Sequence, residues 1–204
     1  MIKKIKKFSF LIGFIILFTS YSCGESSQNS KQAEVDALIE KAEEAKKNGN
    51  YSDPTEYFEG LVGLQTEIGQ IMVEMSWENG TNEVRKQMTN LSEVAKNNLN
   101  AINKMNLSKN DYGIKTALID LFEFYNDLAI IYIPNMCDAM DKMEEAETEA
   151  SSMKYYSEMV EIQKEVSSIE GRLDSNFEAA QKSFSEAYGF DLRENPLQDA
   201  VDNM

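Results

Sequence analysis

The 204-residue chain contains no histidine and only two cysteines, three prolines and one tryptophan. Without histidine it lacks Ser-His-Asp and Cys-His catalytic machinery, histidine-ligated zinc and an imidazole that titrates near physiological pH. Basic residues are also few, 20 against 35 acidic ones, so that the net charge is −15. Such a charge opposes binding to nucleic acid, which depends on Lys and Arg displacing counterions from the phosphates.

What remains is typical of a helical globular protein. The few prolines and the 42 % of hydrophobic residues argue against a disordered chain and against an all-β sandwich rich in turns. The length suits a single domain. No spacing of carboxylates or tyrosines indicates a catalytic mechanism, so the sequence predicts a protein that is not an enzyme.

The first residues have the pattern of a secretory signal. Lys3, Lys4, Lys6 and Lys7 form a basic start, an apolar run covers residues 8–18, and small polar residues follow. About eleven apolar residues fall well short of the roughly twenty that a membrane-spanning helix needs. Basic start, short apolar centre and small-residue end are together typical of an export signal.

The end of this signal resembles the lipobox of bacterial lipoproteins, with Ser22-Cys23 in its last two positions. Ser20 and Tyr21 depart from the strict pattern and resemble its relaxed versions. The resemblance implies that residues 1–22 are removed, that Cys23 carries diacylglycerol and further acyl chains, and that these hold the protein to a membrane. Gly24 after the cysteine favours the outer membrane, with the domain facing either the periplasm or the cell exterior. The alternative is an ordinary secreted protein cut nearby.

Loss of residues 1–22 would leave 35 acidic against 16 basic side chains, a net charge of −19. With Cys23 lipidated, Cys137 is the only remaining thiol, which excludes a disulfide within the chain. We therefore divide the chain into the signal (1–22), the lipidated cysteine with a flexible, polar tether (23–32) and a helical domain with a C-terminal tail (33–204).

Long amphipathic helices dominate the mature chain. A narrow apolar stripe over 31–48 predicts a short helical arm, and Asp53 with Pro54 predicts the start of a second helix that runs to about Asn79-Gly80. Its apolar residues alternate in steps of four and three: Tyr57, Leu61, Leu64, Ile68, Ile71 and Met75. This period is typical of a helix in a bundle.

Three more helices are predicted, from Thr81 to about Met105, from Ile114 to the region of Pro134, and from about Ser152 to Tyr188 with Gly189 as C-cap. Asn98 is a polar member of the first of these stripes. Short connections favour an all-α fold, an up-down-up-down antiparallel bundle of four long helices plus the short N-terminal arm. The run LAIIYI at 128–133 is predicted to be buried on most sides, and Pro134 is predicted to kink or break the helix.

Three places in the sequence have residue types that bind metal ions. Met136, Met140, Met143 and Cys137 lie on one helix face, a pattern that suits copper(I) or ordinary core packing. The acidic run from Asp138 to Glu149 suits weak cation binding or a solvated face. Glu170 lies near an apolar stripe, but a carboxylate di-metal site would normally include histidine. We therefore predict no metal and no cofactor.

Glycines in the second helix indicate a close approach of another group. Gly60, Gly63 and Gly69 each cost about 1 kcal/mol relative to alanine in a helix, so their presence needs a reason. The face around Gly60, Gly63 and Gln65 is our predicted place for a partner. Close helix packing inside the monomer is the alternative explanation of the same pattern.

The sequence thus predicts a lipid-anchored cell-envelope protein that works in binding or scaffolding. Its predicted contacts are the membrane, through the lipid on Cys23, and an unidentified protein partner; the alternative function is carriage of a small apolar ligand or a metal between the helices. Asp53-Pro54-x-x-Tyr57 and the segment 189–198 (GFDLRENPLQ) also resemble uncharacterised helical lipoproteins of Gram-negative bacteria. That resemblance implies no activity and no site residues.

Overall fold

The computed structural model describes residues 28–192 and Leu197. The predicted signal and Cys23 lie outside these residues. The described part is all-α, as predicted, and its helices are α1 (Gln28–Ala45), α2 (Pro54–Glu74), α3 (Thr81–Lys104), α4 (Ile114–Asp127), α5 (Ile133–Glu145) and α6 (Glu149–Tyr188). Because α1 begins at Gln28, it takes up part of the segment predicted to be a flexible tether.

Local capping chemistry sets the predicted ends of α2 and α6. The Asp53 side chain accepts a hydrogen bond from the Thr55 amide at 2.8 Å, and Pro54 occupies the first turn. At the other end of the domain, Gly189 ends α6 in the left-handed conformation with φ 71°. Both boundaries are confirmed, because the residues that favour them act within a single turn.

The predicted apolar stripes form the core. Tyr57, Leu61, Leu64 and Ile68 of α2 are fully buried, and they belong to one hydrophobic cluster to which all six helices contribute. The cluster also includes positions predicted on the other helices, among them Val84, Met88, Leu91, Ile102, Leu118, Leu121, Tyr125, Val166, Leu173, Phe177 and Phe184. The period of the sequence therefore identifies most of the core, but Ile71 of the predicted α2 stripe is only partly buried, and Met72 is buried instead.

The second helix ends earlier than its apolar pattern predicts. It stops at Glu74, and a short 3₁₀ turn, Trp77–Asn79, leads into α3. The side chain of Gln87, on α3, donates to the Glu74 carbonyl and accepts from the Ser76 amide. A side chain from another helix thus supplies the partners that a further helical turn would have supplied, and no local pattern indicates it.

Pro134 changes the type of helix without ending it. It lies in the first turn of α5, and the residues before it, Leu128–Tyr132, form a π-helical turn in which the Ile133 amide donates to the Leu128 carbonyl. A proline has no N–H to donate one turn back, and the wider turn accommodates this loss. The chain therefore continues from α4 into α5 with helical backbone angles throughout.

The π-helical turn also overturns one prediction about burial. Leu128, Ala129 and Ile133 are buried, as expected for the run LAIIYI, but Ile130 and Ile131 are 51 % and 46 % exposed. The prediction that this run is covered on most sides is therefore wrong for its two central residues. The helix packs against the core with one side only, the side of Leu128, Ala129 and Ile133. Ile130 and Ile131 lie on its other side and are therefore exposed.

Two features join the N-terminal part of the chain to the rest. The helix α1 packs along α2 and buries Val35, Ala42 and Ala45. A two-residue parallel ladder pairs β1 (Asn50–Tyr51) with β2 (Asn106–Leu107), and its flanking bonds run from the Asn106 amide to the Gly49 carbonyl at 2.8 Å and from the Ser108 amide to the Tyr51 carbonyl at 3.0 Å. The ladder lies in segments that the sequence predicts as loops.

Candidate functional site

Two of the three glycines of α2, Gly60 and Gly63, make room for the chain's own first helix, whereas Gly69 faces the Leu197 side chain. A Cβ added at Gly63 would collide with the Leu38 carbonyl oxygen and would lie 2.7 Å from the Ala42 amide nitrogen. A Cβ added at Gly60 would lie 3.3 Å from the Ala45 Cβ. The face predicted for a partner is therefore covered by α1. A separate partner would reach it only after α1 had left.

Gln65 is the third residue of that predicted face, and it is 3 % exposed. Its Oε1 atom has no hydrogen-bond partner within the described residues. On the neighbouring helix, Asn98 is fully buried and its Nδ2 donates to the Leu64 carbonyl at 2.8 Å. The core position predicted for Asn98 is confirmed, and its amide joins α3 to α2.

The strongest candidate site is a pair of carboxyl groups inside the domain. Glu170 and Asp174, one turn apart on the buried face of α6, are each only 4 % exposed. Within the described residues, Glu170 Oε1 and Asp174 Oδ2 have no hydrogen-bond partner. Buried carboxyl groups without a partner are costly, so this pair needs an explanation beyond packing.

The electrostatics of the pair favour its neutral form. Burial raises the pKa of Glu170 to about 8, with a further contribution from Asp174. Burial also raises the pKa of Asp174 to about 7, with a further contribution from Glu178. Burial raises the pKa of Tyr125, on α4, well above its ordinary value, with further contributions from both carboxylates. We call Tyr125, Glu170 and Asp174 the buried acidic cluster.

Sequence reasoning found only part of this cluster. Glu170 follows Val166 by four residues and precedes Leu173 by three, so it falls on the apolar stripe of α6. Asp174 follows Glu170 by four residues and precedes Phe177 by three, so the same spacing places it on this stripe, although an aspartate usually faces solvent. That it is buried, with no hydrogen-bond partner for Oδ2 among the described residues, follows from the packing of other helices on α6.

The isoleucine patch, Ile130 and Ile131, is the second candidate site. These residues lie on the π-helical turn between α4 and α5, and π-helical turns frequently occur at functional sites. Next to them Tyr132 donates from its hydroxyl to Glu165 at 3.2 Å, and Asp127 is exposed one turn before Ile131. The patch is therefore apolar at its centre and acidic at its edge.

The methionine and cysteine stripe of α5 is half in the core, because Met140 and Met143 are only partly buried. Met136 and Cys137 are buried, and the Cys137 sulfur lies 3.9 Å from the Thr81 carbonyl oxygen as a weak donor. Burial raises the pKa of the Cys137 thiol to about 11, so at neutral pH the group is a thiol and not the thiolate that binds metals well.

The acidic run is partly engaged between helices. Arg85, on α3, donates to Asp138 at 2.6 Å and to Asp141 at 2.8 Å, and the Thr81 hydroxyl donates to Asp141. The hydrogen bonds that Asp141 accepts from Thr81 and Arg85 lower its pKa, and the bond from Thr81 has the larger effect. Across the described residues, no group of three or more Asp, Glu, Cys or His is placed to hold a metal ion.

A polar cleft of about 340 Å³ lies at the end of α3. Its lining comprises Tyr57, Met105, Asn106, Leu107, Lys109, Asn110, Asp111 and Lys115. The Lys115 ammonium already donates to the Met105 carbonyl at 2.6 Å, and the Lys109 ammonium lies 5.7 Å from the centre of the Tyr188 ring. The cations of the cleft thus stabilise the α3–α4 connection.

None of the helices within 28–192 is long and apolar enough to span a bilayer. Comparison with protein-family models, with curated proteins and with solved structures found no match.

Proposed function

We propose that this is a non-enzymatic, lipid-anchored protein of the bacterial cell envelope that binds or scaffolds a protein partner. The lipobox-like pattern at Cys23 supports the anchor. We further propose an antiparallel up-down-up-down bundle made of α2, α3, the continuous helical segment formed by α4 and α5, and α6. In this arrangement α1 is an arm along α2. The adjacent packing of α2 on α3, α3 on α4 and α4 on α6 supports that arrangement.

The observation that carries the binding role is the isoleucine patch. Burying an isoleucine side chain contributes about 1.5–3 kcal/mol, and Ile130 and Ile131 forgo about half of that area in the free domain. A partner that covers both recovers this free energy. Because Asp127 and Glu165 lie at its edge, the patch suits a partner with an apolar centre and basic groups around it.

A photo-crosslinking amino acid in place of Ile130 should trap this partner in whole cells. We expect one discrete adduct, detected by a shift in electrophoretic mobility, and expect Ile131→Glu to abolish it. The matched control carries the crosslinker at Asp120, which is exposed on α4 away from the π-helical turn. Equal adducts from positions 120 and 130, or none from position 130, would contradict the proposed binding surface.

The anchor has a separate test. Cys23→Ala should move the protein from the membrane to the soluble fraction and end incorporation of labelled palmitate, because several acyl chains on one residue supply stable anchoring. Cys137→Ala is the control, since that thiol is buried and without a proposed lipid. Retention of Cys23→Ala in the membrane with its label would show that the lipid is elsewhere.

The alternative function, carriage of a small apolar ligand or metal, has one supporting observation. It is the pair of unpartnered carboxyl oxygens on Glu170 and Asp174, which favours a cation over an apolar molecule.

A further inference from the structure

We propose that the buried acidic cluster binds a hard divalent cation, Mg²⁺ or Mn²⁺, between α4 and α6. This cation site is separate from the proposed partner-binding surface, because the isoleucine patch shares no residue with it. The two proposals are therefore tested independently.

The placement of the ligands is the first support. Glu170 and Asp174 are four residues apart on one helix, so their side chains lie one above the other on the same face. Tyr125 is buried on α4, which packs against α6, and the charges of both carboxyls contribute to its raised pKa. The helix α6 therefore supplies two buried carboxyl groups on the same face, and α4 packs against that helix.

The unpartnered atoms are the second support. Glu170 Oε1 and Asp174 Oδ2 are buried side-chain oxygens with free lone pairs and no donor among the described residues. The charged groups that act on the pair are carboxyls: Asp174 acts on Glu170, and Glu178 acts on Asp174. All of these are acidic, and the nearest arginine along α6, Arg172, is exposed. The positive charge that two ionised carboxylates require has to come from protons or from a bound cation.

The chemistry of the donors selects the ion. The cluster offers only oxygen atoms, which are the ligands of hard cations, whereas copper(I) and zinc prefer sulfur and nitrogen. Mg²⁺ is commonly held by one or two carboxylates and keeps several waters, which matches a site with two carboxylates. Mn²⁺ has similar ligand preferences and is visible by electron paramagnetic resonance.

The test uses the full chain in detergent, freed of metal with a chelator and titrated with MnCl₂ at about pH 8.5, above the pKa values of both carboxyls. We expect loss of the free-ion Mn²⁺ signal with one ion per chain, reversal by excess Mg²⁺, and binding at least about tenfold weaker in the double variant Glu170→Gln, Asp174→Asn. Glu161→Gln removes one exposed carboxylate from the same helix and should bind like the unmodified chain.

Circular dichroism serves to check that the double variant is folded. We expect it to be, because Gln and Asn have nearly the same shapes as Glu and Asp. No loss of the free Mn²⁺ signal at millimolar metal would overturn the site and leave protons as the only counter-charge. Binding of equal strength in the double variant would also overturn it, since the ion would then lie on the acidic surface.

Discussion

Gly63→Ala should detach α1 from α2 and lower the free energy of unfolding by about 3 kcal/mol or more. The new Cβ would collide with the Leu38 carbonyl oxygen and approach the Ala42 amide to 2.7 Å. Both are backbone atoms of α1, so no side chain can rotate to relieve the contact. Separation of the helices would also expose Val35, Ala42 and Ala45, which are buried in the intact domain.

Gly171→Ala is the matched control, with the opposite sign. Gly171 lies on the exposed side of α6, and a Cβ added there meets nothing within 4 Å. Alanine favours the helix over glycine, so this variant should be more stable by about 0.5–1 kcal/mol. Urea unfolding followed by circular dichroism measures both changes, and limited proteolysis shows whether α1 becomes accessible. Equal stability of Gly63→Ala and the unmodified chain would mean that α1 does not pack on Gly63.

The second large effect concerns pH. With metal removed by a chelator, the stability of the domain should fall as the pH rises from about 4.5 to about 8.5. In the unfolded chain the carboxyls of Glu170 and Asp174 lose their protons near their ordinary pKa values, whereas in the folded domain they keep them up to about 8 and about 7. The folded state therefore binds more protons in this window, so raising the pH favours unfolding.

The contribution of the pair is fully present below about pH 4 and is lost as the pH passes through the two folded-state values. A pKa difference of one unit between the folded and unfolded states equals about 1.4 kcal/mol, so the loss should be on the order of a few kcal/mol. Lowered pKa values such as that of Asp141 act in the opposite direction, but they change stability mainly below about pH 4.

The double variant Glu170→Gln, Asp174→Asn isolates this effect. Near pH 4.5 it should be about as stable as the unmodified chain, and near pH 8.5 it should be more stable by about 2 kcal/mol or more, because amides do not ionise. Glu161→Gln should follow the unmodified chain at every pH. If the urea midpoints of the double variant and the unmodified chain change in parallel with pH, the carboxyls do not titrate with raised pKa values.

The parts of the fold that depend on local chemistry could be predicted from the sequence. The cap at Asp53, the stop at Gly189 and the buried stripe of Tyr57, Leu61 and Leu64 each follow from interactions within a few residues. The end of α2 at Glu74 could not, because Gln87 of another helix determines it.

The candidate sites were harder to predict, since each depends on which helices meet. The same glycine pattern suits a partner or an internal helix, and only the position of α1 decides between them for Gly60 and Gly63. Asp174 shares the spacing of the α6 stripe but has a charge that favours solvent, and only the packing of other helices on α6 shows that it is buried. Ile130 and Ile131 have the composition of core residues, but the helix turns them outward at the π-helical turn.

The short ladder between β1 and β2 has a consequence for the order of folding. It joins Asn50 to Asn106 and Tyr51 to Leu107, so α2 and α3 lie within a loop of chain that the ladder closes. Closing so long a loop has an entropy cost that two pairs of strand residues do not offset on their own. We therefore expect α2 to dock against α3 first, which brings the two strands together. The ladder should form only after this step.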